Sequence, residues 1–353
     1  TSGKFMFSSY TITGHDTCNG SVSIPNAITA IAINGFRDAP GITSVTFAPG
    51  SELQTIGGAA FLMNANADSG SLTSITIPKS VTWIGNGAFE YSALSSITFE
   101  ADSSLETIDT NAFQGASLLG TVEIPNSLIT LGEGAFRNAT GLTSVQFEPE
   151  SRLTEIPRDA FRGASSIASI VIPKSVVSIG QDAFFSATGL TSVTFEEDSQ
   201  LAVIGDGAFY GASSLVTIEI PNGVSVIGVE SFWGATALTS VTFEAGSALQ
   251  GIGSGAFRGA SSLRTIHIPN QIYIGDFAFL DTHPSLFASS YRSWKVPLQA
   301  ISSGPRIGSV VFASAFEREL SIPGFGVIPE EYVYRITSQE NIAATSVDVQ
   351  SNN

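Results

Sequence analysis

A single repeating unit constrains the fold of this 353-residue chain more than any other sequence feature. A phenylalanine, usually preceded by alanine, recurs at steps of 22 to 28 residues along most of the sequence. Because so short a unit cannot bury its own apolar face, successive units must stack on one another, and the chain is predicted to form a solenoid. The eleven marker residues are Phe36, Phe61, Phe89, Phe113, Phe136, Phe161, Phe184, Phe209, Phe232, Phe257 and Phe279.

The step between markers alternates, so the structural unit is a pair of coils. One coil type carries Ser-Val-Thr-Phe-Glu or a close variant, and the other carries Ile-x-Ile-Pro. Both motifs return every 48 residues in the middle of the chain. The phenylalanines of the first motif are Phe99, Phe147, Phe195 and Phe243. The prolines of the second motif are Pro125, Pro173, Pro221 and Pro269.

The residues of one coil predict its path. Residues 142–147 have apolar side chains at the first, fourth and sixth positions, which is typical of a leucine-rich-repeat strand. Alternation along this strand turns Val145 and Phe147 towards the core, and Ser144 and Gln146 towards solvent. An Ile-Gly pair follows, whose glycine is predicted to allow a tight bend or a positive φ.

The marker phenylalanine comes next, in a segment predicted to be a short helical turn, and the stacked markers are expected to fill the core as a spine. The expected fold is therefore a repeat solenoid of alternating 23- and 25-residue leucine-rich-repeat coils. It has a parallel β-sheet on one face, short helical turns on the other, and a cap at each end.

The repeat resembles the BspA-type, or treponemal-type, leucine-rich repeats of bacterial surface proteins. Residues 72–89, which read Leu-Thr-Ser-Ile-Thr-Ile-Pro-Lys-Ser-Val-Thr-Trp-Ile-Gly-Asn-Gly-Ala-Phe, match that family's pattern nearly throughout. The resemblance covers about residues 20–280, although alanines such as Ala212 and Ala235 replace the family's frequent cysteine. It implies a secreted or surface-anchored protein that binds host matrix proteins, other cells or glycans. It carries over no ligand residues.

Four segments are expected along the chain. Residues 1–20 fall outside the repeat, and their alternating apolar side chains indicate a strand or hairpin that caps the first coil. Residues 21–280 hold about eleven coils, with a loop insertion near residues 63–70. Residues 281–340 lose the period and are expected to form a C-terminal cap, or alternatively a small module of separate function. Residues 341–353 are expected to be a flexible tail or linker.

Composition and charge exclude several classes of partner. With 31 acidic against 15 basic residues, and a net charge of −16, the chain lacks the basic surface that nucleic acid or anionic lipid requires. No stretch approaches the roughly 20 apolar residues of a membrane-spanning helix, so no direct membrane insertion is expected. The lone cysteine, Cys18, rules out a disulfide framework, and no cofactor is expected. The chain begins at Thr1 without an initiator methionine or an export signal, and we expect the native ends to have been longer.

Outward strand residues form the candidate binding surface. Glutamates follow the strand phenylalanine of successive coils, and other polar side chains occupy outward positions among serines and threonines. Repeat proteins use such broad, flat faces to bind partners, although solvent exposure alone also keeps a strand face polar. The candidate binding residues are Glu100, Glu148, Glu196, Glu244, Glu123, Glu219, Gln146 and His267.

The sequence offers little for catalysis or metal binding. Loop acids such as Glu150 and Asp198 are suitable oxygen ligands for calcium, but no EF-hand loop or calcium-binding nonapeptide is present, and no metal is assigned. No nucleophile elbow, P-loop, zinc-protease motif or dinucleotide fingerprint occurs. No catalytic residue is assigned, and the protein is not expected to be an enzyme; a glycan-acting enzyme would need a carboxylate pair in a cleft.

Two functions remain open from the sequence. The first is a secreted or cell-surface binding or adhesion module that recognises a protein or glycan, on another cell or in a matrix, through its β-sheet face. The alternative is a rigid stalk or scaffold of a larger surface protein with no ligand of its own. The sequence leaves the oligomeric state open.

Overall fold

A solenoid of about eleven stacked coils accounts for nearly all of the chain whose structure is described, which confirms the predicted repeat fold. Each coil follows the same path through a long strand, a short strand and a tight turn, and no helix occurs within the described ranges. The computed structural model describes residues 5–15, 20–39, 41–63, 72–268, 272–283, 286, 320–322 and 326–328.

The long strands form the first of three ladders that run along the solenoid. They pair in parallel and in register in three groups, two of two strands and one of seven strands between residues 121 and 266. In the last group Val122 lies opposite Val145 and Ile218 lies opposite Val241. Their β-branched residues are buried and alternate with exposed polar residues, which suits a sheet with one face in the core. The long strands are β3 (Gly20–Ile24), β5 (Ile42–Phe47), β7 (Ser74–Ile77), β9 (Ser96–Phe99), β11 (Thr121–Ile124), β13 (Ser144–Phe147), β15 (Ser169–Ile172), β17 (Ser192–Phe195), β19 (Thr217–Ile220), β21 (Ser240–Phe243) and β23 (Thr265–Ile266).

The short strands form a second parallel ladder that the sequence analysis did not predict. Each is two residues long, and its second residue is the isoleucine or leucine of the Ile-Gly motif, buried in nearly every coil. Two residues are too few to show the alternation that identifies a strand in a sequence. The short strands are β4 (Ala30–Ile31), β6 (Thr55–Ile56), β8 (Trp83–Ile84), β10 (Thr107–Ile108), β12 (Thr130–Leu131), β14 (Glu155–Ile156), β16 (Ser178–Ile179), β18 (Val203–Ile204), β20 (Val226–Ile227), β22 (Gly251–Ile252) and β24 (Tyr273–Ile274).

The turns that carry the marker phenylalanines are not helical, which corrects the predicted short helical turns. In every described coil the residue two positions before the marker has a positive φ, such as 61° at Gly134 and 56° at Asp182. A left-handed residue breaks a right-handed helix. Glycine, asparagine and aspartate dominate this position because they tolerate that conformation best.

The backbone N–H groups of these turns form the third ladder. Gly134, Phe136 and Asn138 donate to carbonyl oxygens of the next coil at 3.0, 2.8 and 2.7 Å. The intervening N–H groups close within the turn, as that of Arg137 does on the Gly134 carbonyl at 2.9 Å. Each turn thus satisfies part of its backbone internally and part against the neighbouring coil.

The glycine of the Ile-Gly pair lies close to the backbone of the preceding coil, and its φ is not positive. Three other coils carry Ala32, Asp109 or Pro157 at the same repeat position. A Cβ atom on Gly205 would lie 2.7 Å from the carbonyl oxygen of Ile179, in the preceding coil. One on Gly228 would lie 2.5 Å from the carbonyl carbon of Gly205. These glycines therefore allow the coils to stack closely, a role that the sequence did not predict, and the positive φ predicted as one alternative does not occur.

The marker phenylalanines stack as a continuous spine, as predicted. All eleven are buried, and neighbouring rings lie 5.1–5.5 Å apart between centroids with interplanar angles of 2–15°. Stacked pairs of this kind contribute about 0.5–1.5 kcal/mol beyond their area burial. The strand phenylalanines, such as Phe147, are only partly buried at the edge of this core.

A hairpin lies at the N-terminal end of the solenoid. Its strands β1 (Phe5–Ser8) and β2 (Thr11–His15) are antiparallel, and β2 pairs in parallel with β4. The ring of His15 stacks on Phe36 with centroids 6.2 Å apart, and its Nε2 lies 3.0 Å from the carbonyl oxygen of Arg37. That residues 1–20 act as a cap stays a prediction.

Little of the predicted C-terminal cap falls within the described residues. Strands β25 (Leu320–Ile322) and β26 (Gly326–Ile328) pair antiparallel. The rest of residues 287–340, the tail at 341–353, most of the insertion near residues 63–70, and Cys18 lie outside them. Within the described chain, no helix has the length and apolar character needed to cross a membrane.

Replacing Phe136 with alanine is expected to lower the free energy of unfolding by about 3–5 kcal/mol, because it leaves a cavity in the middle of the spine. Urea unfolding followed by circular dichroism measures the loss. Phe147→Ala is the matched control, since this partly buried ring should cost distinctly less. Equal losses for the two variants would contradict the assignment of the spine as the core.

The close approach of coils predicts opposite outcomes for two glycines. Gly205→Ala should destabilise the chain by about 1–3 kcal/mol, because the new Cβ meets fixed backbone of the preceding coil. Gly120→Ala should be neutral or slightly stabilising, because its Cβ would lie 3.6 Å from the nearest atom, the Ser95 carbonyl oxygen. The two midpoints of thermal unfolding test this, and a tolerated Gly205→Ala would refute the packing argument.

Candidate binding face

The outward side chains of the long strands form a flat polar face. Strand pairing is in register, so equivalent residues of successive coils line up in columns. Parallel strands lie about 4.8 Å apart, which sets the spacing between neighbours in a column. Two of these columns hold all eight candidate residues.

The first, here called the central column, runs through the middle of each long strand. Glu123 lies opposite Gln146, and Glu219 lies opposite Thr242. His267 follows β23 at the corresponding position. All of its residues are exposed. The column consists of Thr76, Thr98, Glu123, Gln146, Val171, Thr194, Glu219, Thr242 and His267.

Four candidate residues in the central column make no side-chain bonds within the described chain. Neither a hydrogen bond nor an ion pair engages the side chains of Glu123, Gln146, Glu219 or His267 there, whereas Thr76 and Thr98 bond one another at 2.9 Å. Polar side chains that are exposed and unpaired on a rigid sheet remain available to a partner.

The second column, here called the glutamate column, has a structural role that the sequence did not reveal. The Oε2 atom of Glu148 accepts a hydrogen bond from the backbone N–H of Asn126 in the preceding coil at 3.0 Å. Its own backbone N–H donates to the carbonyl oxygen of Ile124 at 2.9 Å. Glu100, Glu196 and Glu244 repeat both contacts on their preceding coils.

Proline explains why a carboxylate is needed at this point. Pro125 stands between Ile124 and Asn126 and has no N–H to continue the ladder. The Glu148 carboxylate reaches past it and accepts the next backbone N–H along the chain. A sequence signal existed, since each of these glutamates follows a proline by 22 or 23 residues. The first coil pair lacks this contact, because Ala48 follows Pro25 at that distance.

The loops beyond the glutamate column concentrate negative charge. Glu150 forms an ion pair with Lys174 at 3.1 Å. The pKa of Lys174 is raised by this hydrogen bond and by the charge of Glu150, with smaller contributions from Glu196 and Asp198. The acids nevertheless do not converge on one point, and no group of three or more potential metal ligands occurs among the residues that the structure describes.

The sequence placed the eight candidate side chains on the outer face of the sheet but could not separate the two columns, and that the face binds a partner stays a prediction. The eight candidates do not form one site: four carboxylates bond backbone of neighbouring coils, and four side chains are unengaged. An exposed glutamate at the end of a strand looks the same in sequence whichever role it has. Only the path of the chain after the proline distinguishes the two roles.

Comparison with known proteins gives a consistent picture of the fold. The model of the BspA type leucine rich repeat region matches in six copies over residues 13–69, 63–163 and 154–285. No curated protein sequence matches the chain. A leucine-rich repeat protein from Bacteroides ovatus is 24% identical, with a TM-score of 0.50 over 74% of this chain and 76% of that one.

Two further solved structures show weaker overall superposition. The pneumococcal vaccine antigen PcpA is 21% identical, with a TM-score of 0.48 over 80% of this chain and 78% of that one. The leucine-rich-repeat protein of T. pallidum is 26% identical, with a TM-score of 0.43 over 54% of this chain and 78% of that one.

The two columns should respond differently to the same substitution. Glu148→Ala is expected to lower the free energy of unfolding by about 1 kcal/mol, because the Asn126 N–H loses its intramolecular acceptor. Glu123→Ala removes the same group from an unpaired position and should change stability little. Parallel urea titrations of the two variants measure the difference, and a stability loss at Glu123 that matches or exceeds that at Glu148 would contradict the division.

Proposed function

The chain belongs to the BspA-type leucine-rich-repeat family, and from that membership we propose that it is a secreted or cell-surface binding module. Its partner is a protein or glycan on another cell or in a matrix. The contact is made through the long-strand face.

The unengaged side chains of the central column carry this proposal. Glu123, Gln146, Glu219 and His267 project from rigid strands and have no intramolecular bonds in the described chain. A rigid surface loses little conformational entropy on binding, which favours affinity. Repeat proteins commonly use the extended face of their solenoid in this way.

The chemistry of the face indicates a partner with hydrogen-bond donors or positive charge. Glu123 and Glu219 offer carboxylate acceptors, and the chain's net charge of −16 attracts basic surfaces over a longer range. The surrounding serine and threonine hydroxyls both donate and accept, which suits the hydroxyls of a glycan as well as a protein backbone.

We propose a non-catalytic role for this face. Glu123 and Glu219 are four strands apart, which places them about 19 Å from one another at the usual strand spacing. The carboxyl pairs of glycoside hydrolases stand about 5–9.5 Å apart. The two unengaged carboxylates therefore cannot act together on one glycosidic bond.

Removing the two central carboxylates should weaken binding at least about tenfold. The variant is Glu123→Gln/Glu219→Gln, and the probes are a glycan array and a panel of immobilised extracellular-matrix proteins. The matched control is Glu148→Gln/Glu196→Gln, which removes the same charge from the glutamate column. The affinity of this control variant for the same probes should stay closer to that of the original chain. Equal losses of affinity in the two variants would mean that only the net charge matters.

The alternative function is a rigid stalk with no ligand. The uniform ladders favour it, because each coil is stabilised by its neighbours and coils can be added or removed. A chain that binds neither the glycan array nor the matrix proteins would support the stalk. If a variant that lacks one 48-residue pair of coils also performs as the original chain does, the stalk replaces the binding module as the proposed function.

A further inference from the structure

We propose that a second surface, on the turn side of the solenoid, binds an acidic segment of a partner protein. This surface, the aromatic strip, consists of Phe185, Tyr210 and Trp233, with Arg162 and Arg258 at its two ends. It goes beyond the function proposed above, because its side chains project from the turn ladder and not from the long strands.

The repeat itself shows that folding does not require the aromatic strip. Its side chains occupy the position directly after the marker phenylalanine, where most other coils carry polar residues. Those coils form the same turn hydrogen bonds and the same phenylalanine spine. The packing of the coil therefore does not explain why three consecutive coils carry an aromatic residue at this position. The other residues at this position are Arg37, Leu62, Glu90, Gln114, Arg137, Arg162, Arg258 and Leu280.

The rings of the strip cover one another's faces. Phe185 and Tyr210 stack with centroids 4.6 Å apart and an interplanar angle of 8°. The Trp233 ring is tilted by 37° against that of Tyr210, with centroids 5.4 Å apart. The guanidinium carbon of Arg162 lies 4.0 Å from the Phe185 centroid, and that of Arg258 lies 4.5 Å from the Trp233 ring. A partner is left with the edges of these half-buried rings, which are the positive pole of an aromatic quadrupole.

The polar atoms of the strip are mainly donors. The Trp233 N–H and the Tyr210 hydroxyl have no hydrogen-bond partner in the described chain, and neither atom is fully buried. No carboxylate lies within 4.0 Å of the Arg258 guanidinium among the described residues. Positive ring edges, N–H groups and an unpaired guanidinium together fit a carboxylate, which arginine binds through two parallel hydrogen bonds.

The opposite end of the strip is held in place by its own ion pairs. Arg162 bonds Asp159 at 3.3 Å and Asp182 at 3.2 Å. Burial raises the pKa of Asp182, an effect that the charge of Arg162 opposes. These contacts fix the guanidinium over Phe185 and neutralise its charge. An acidic ligand is therefore expected to bind at the other end of the strip, where Arg258 lies.

Exposed aliphatic side chains in the same coils as the strip favour a protein segment over a polyanionic glycan. In the coils of Tyr210 and Trp233, Val203, Val226 and Val229 are 37%, 41% and 42% exposed. The four coils directly before them carry polar residues at these positions, whereas Ala30, Ile33 and Trp83 hold the same positions in coils nearer the N-terminus. Burying valine against apolar side chains stabilises a protein complex, whereas a sulfated polysaccharide gains little from it. Tyrosine, tryptophan and arginine also dominate the binding energy of protein interfaces.

A random 12-residue peptide library displayed on phage and selected on the full chain tests this surface. We expect enriched peptides that combine Asp or Glu with apolar residues. A synthetic copy of an enriched peptide should bind Tyr210→Gln/Trp233→Gln and Arg258→Gln at least about tenfold more weakly than the original chain. Glutamine is chosen because Gln114 occupies the same position in a folded coil.

Two controls make the result specific. Arg37→Gln changes the same repeat position in a distant coil, and Glu123→Gln/Glu219→Gln changes the long-strand face; both should bind the peptide normally. If the double variant is unfolded in a thermal scan, the peptide affinity of Arg258→Gln alone tests the proposal. Peptides without acidic residues, equal binding to all variants, or no enrichment would overturn the proposal. So would heparin binding that depends on the strip in the absence of peptide binding.

Discussion

Backbone hydrogen bonding between neighbouring coils is the constraint on which the rest of this structure depends. The turn ladder bonds every described coil to the next, and the two strand ladders do so over most of the chain, so all coils must keep one outline. Where backbones approach closely the residue must be small, and a Cβ on Gly205 would lie 2.7 Å from the carbonyl oxygen of Ile179. Ser231 shows how little room the core leaves. It replaces the alanine before a marker phenylalanine, and its buried hydroxyl has no hydrogen-bond partner in the described chain. Even one additional polar atom is left unsatisfied.

The sequence predicted the features that depend on period, and missed those that depend on local conformation. Regular return of Phe136 and its equivalents identified the solenoid, the spine and the inward face of the long strands. The turns were wrongly predicted to be helical, because their positive φ falls not only on residues such as Gly134 but also on Ala59 and Glu230, whose identity does not suggest it. The short strands were missed because two residues carry no detectable alternation.

The candidate site was predictable only as a face. Outward positions follow from the alternation of the strand, so all eight residues were placed correctly on the surface. Their roles depend on contacts between residues of neighbouring coils that are 21 or 22 positions apart in sequence, as Asn126 and Glu148 are. Repetition then separates the roles, because each coil serves as a control for the others. A glutamate that recurs with proline belongs to the architecture, whereas side chains that break the pattern, such as Trp233, do not follow from it.

The turn ladder also gives the rod a polarity. Its N–H groups, such as that of Phe136, all point towards the next coil, and the accepting carbonyls all point back. Peptide dipoles aligned in this way add up as they do in a helix, whereas those of β-sheets largely cancel. The first coil therefore presents carbonyl oxygens, one of which lies 3.0 Å from the Nε2 of His15. The opposite end of the described ladder is its donor end. The two ends thus need opposite chemistry to be closed, and two such rods could extend one another only head to tail.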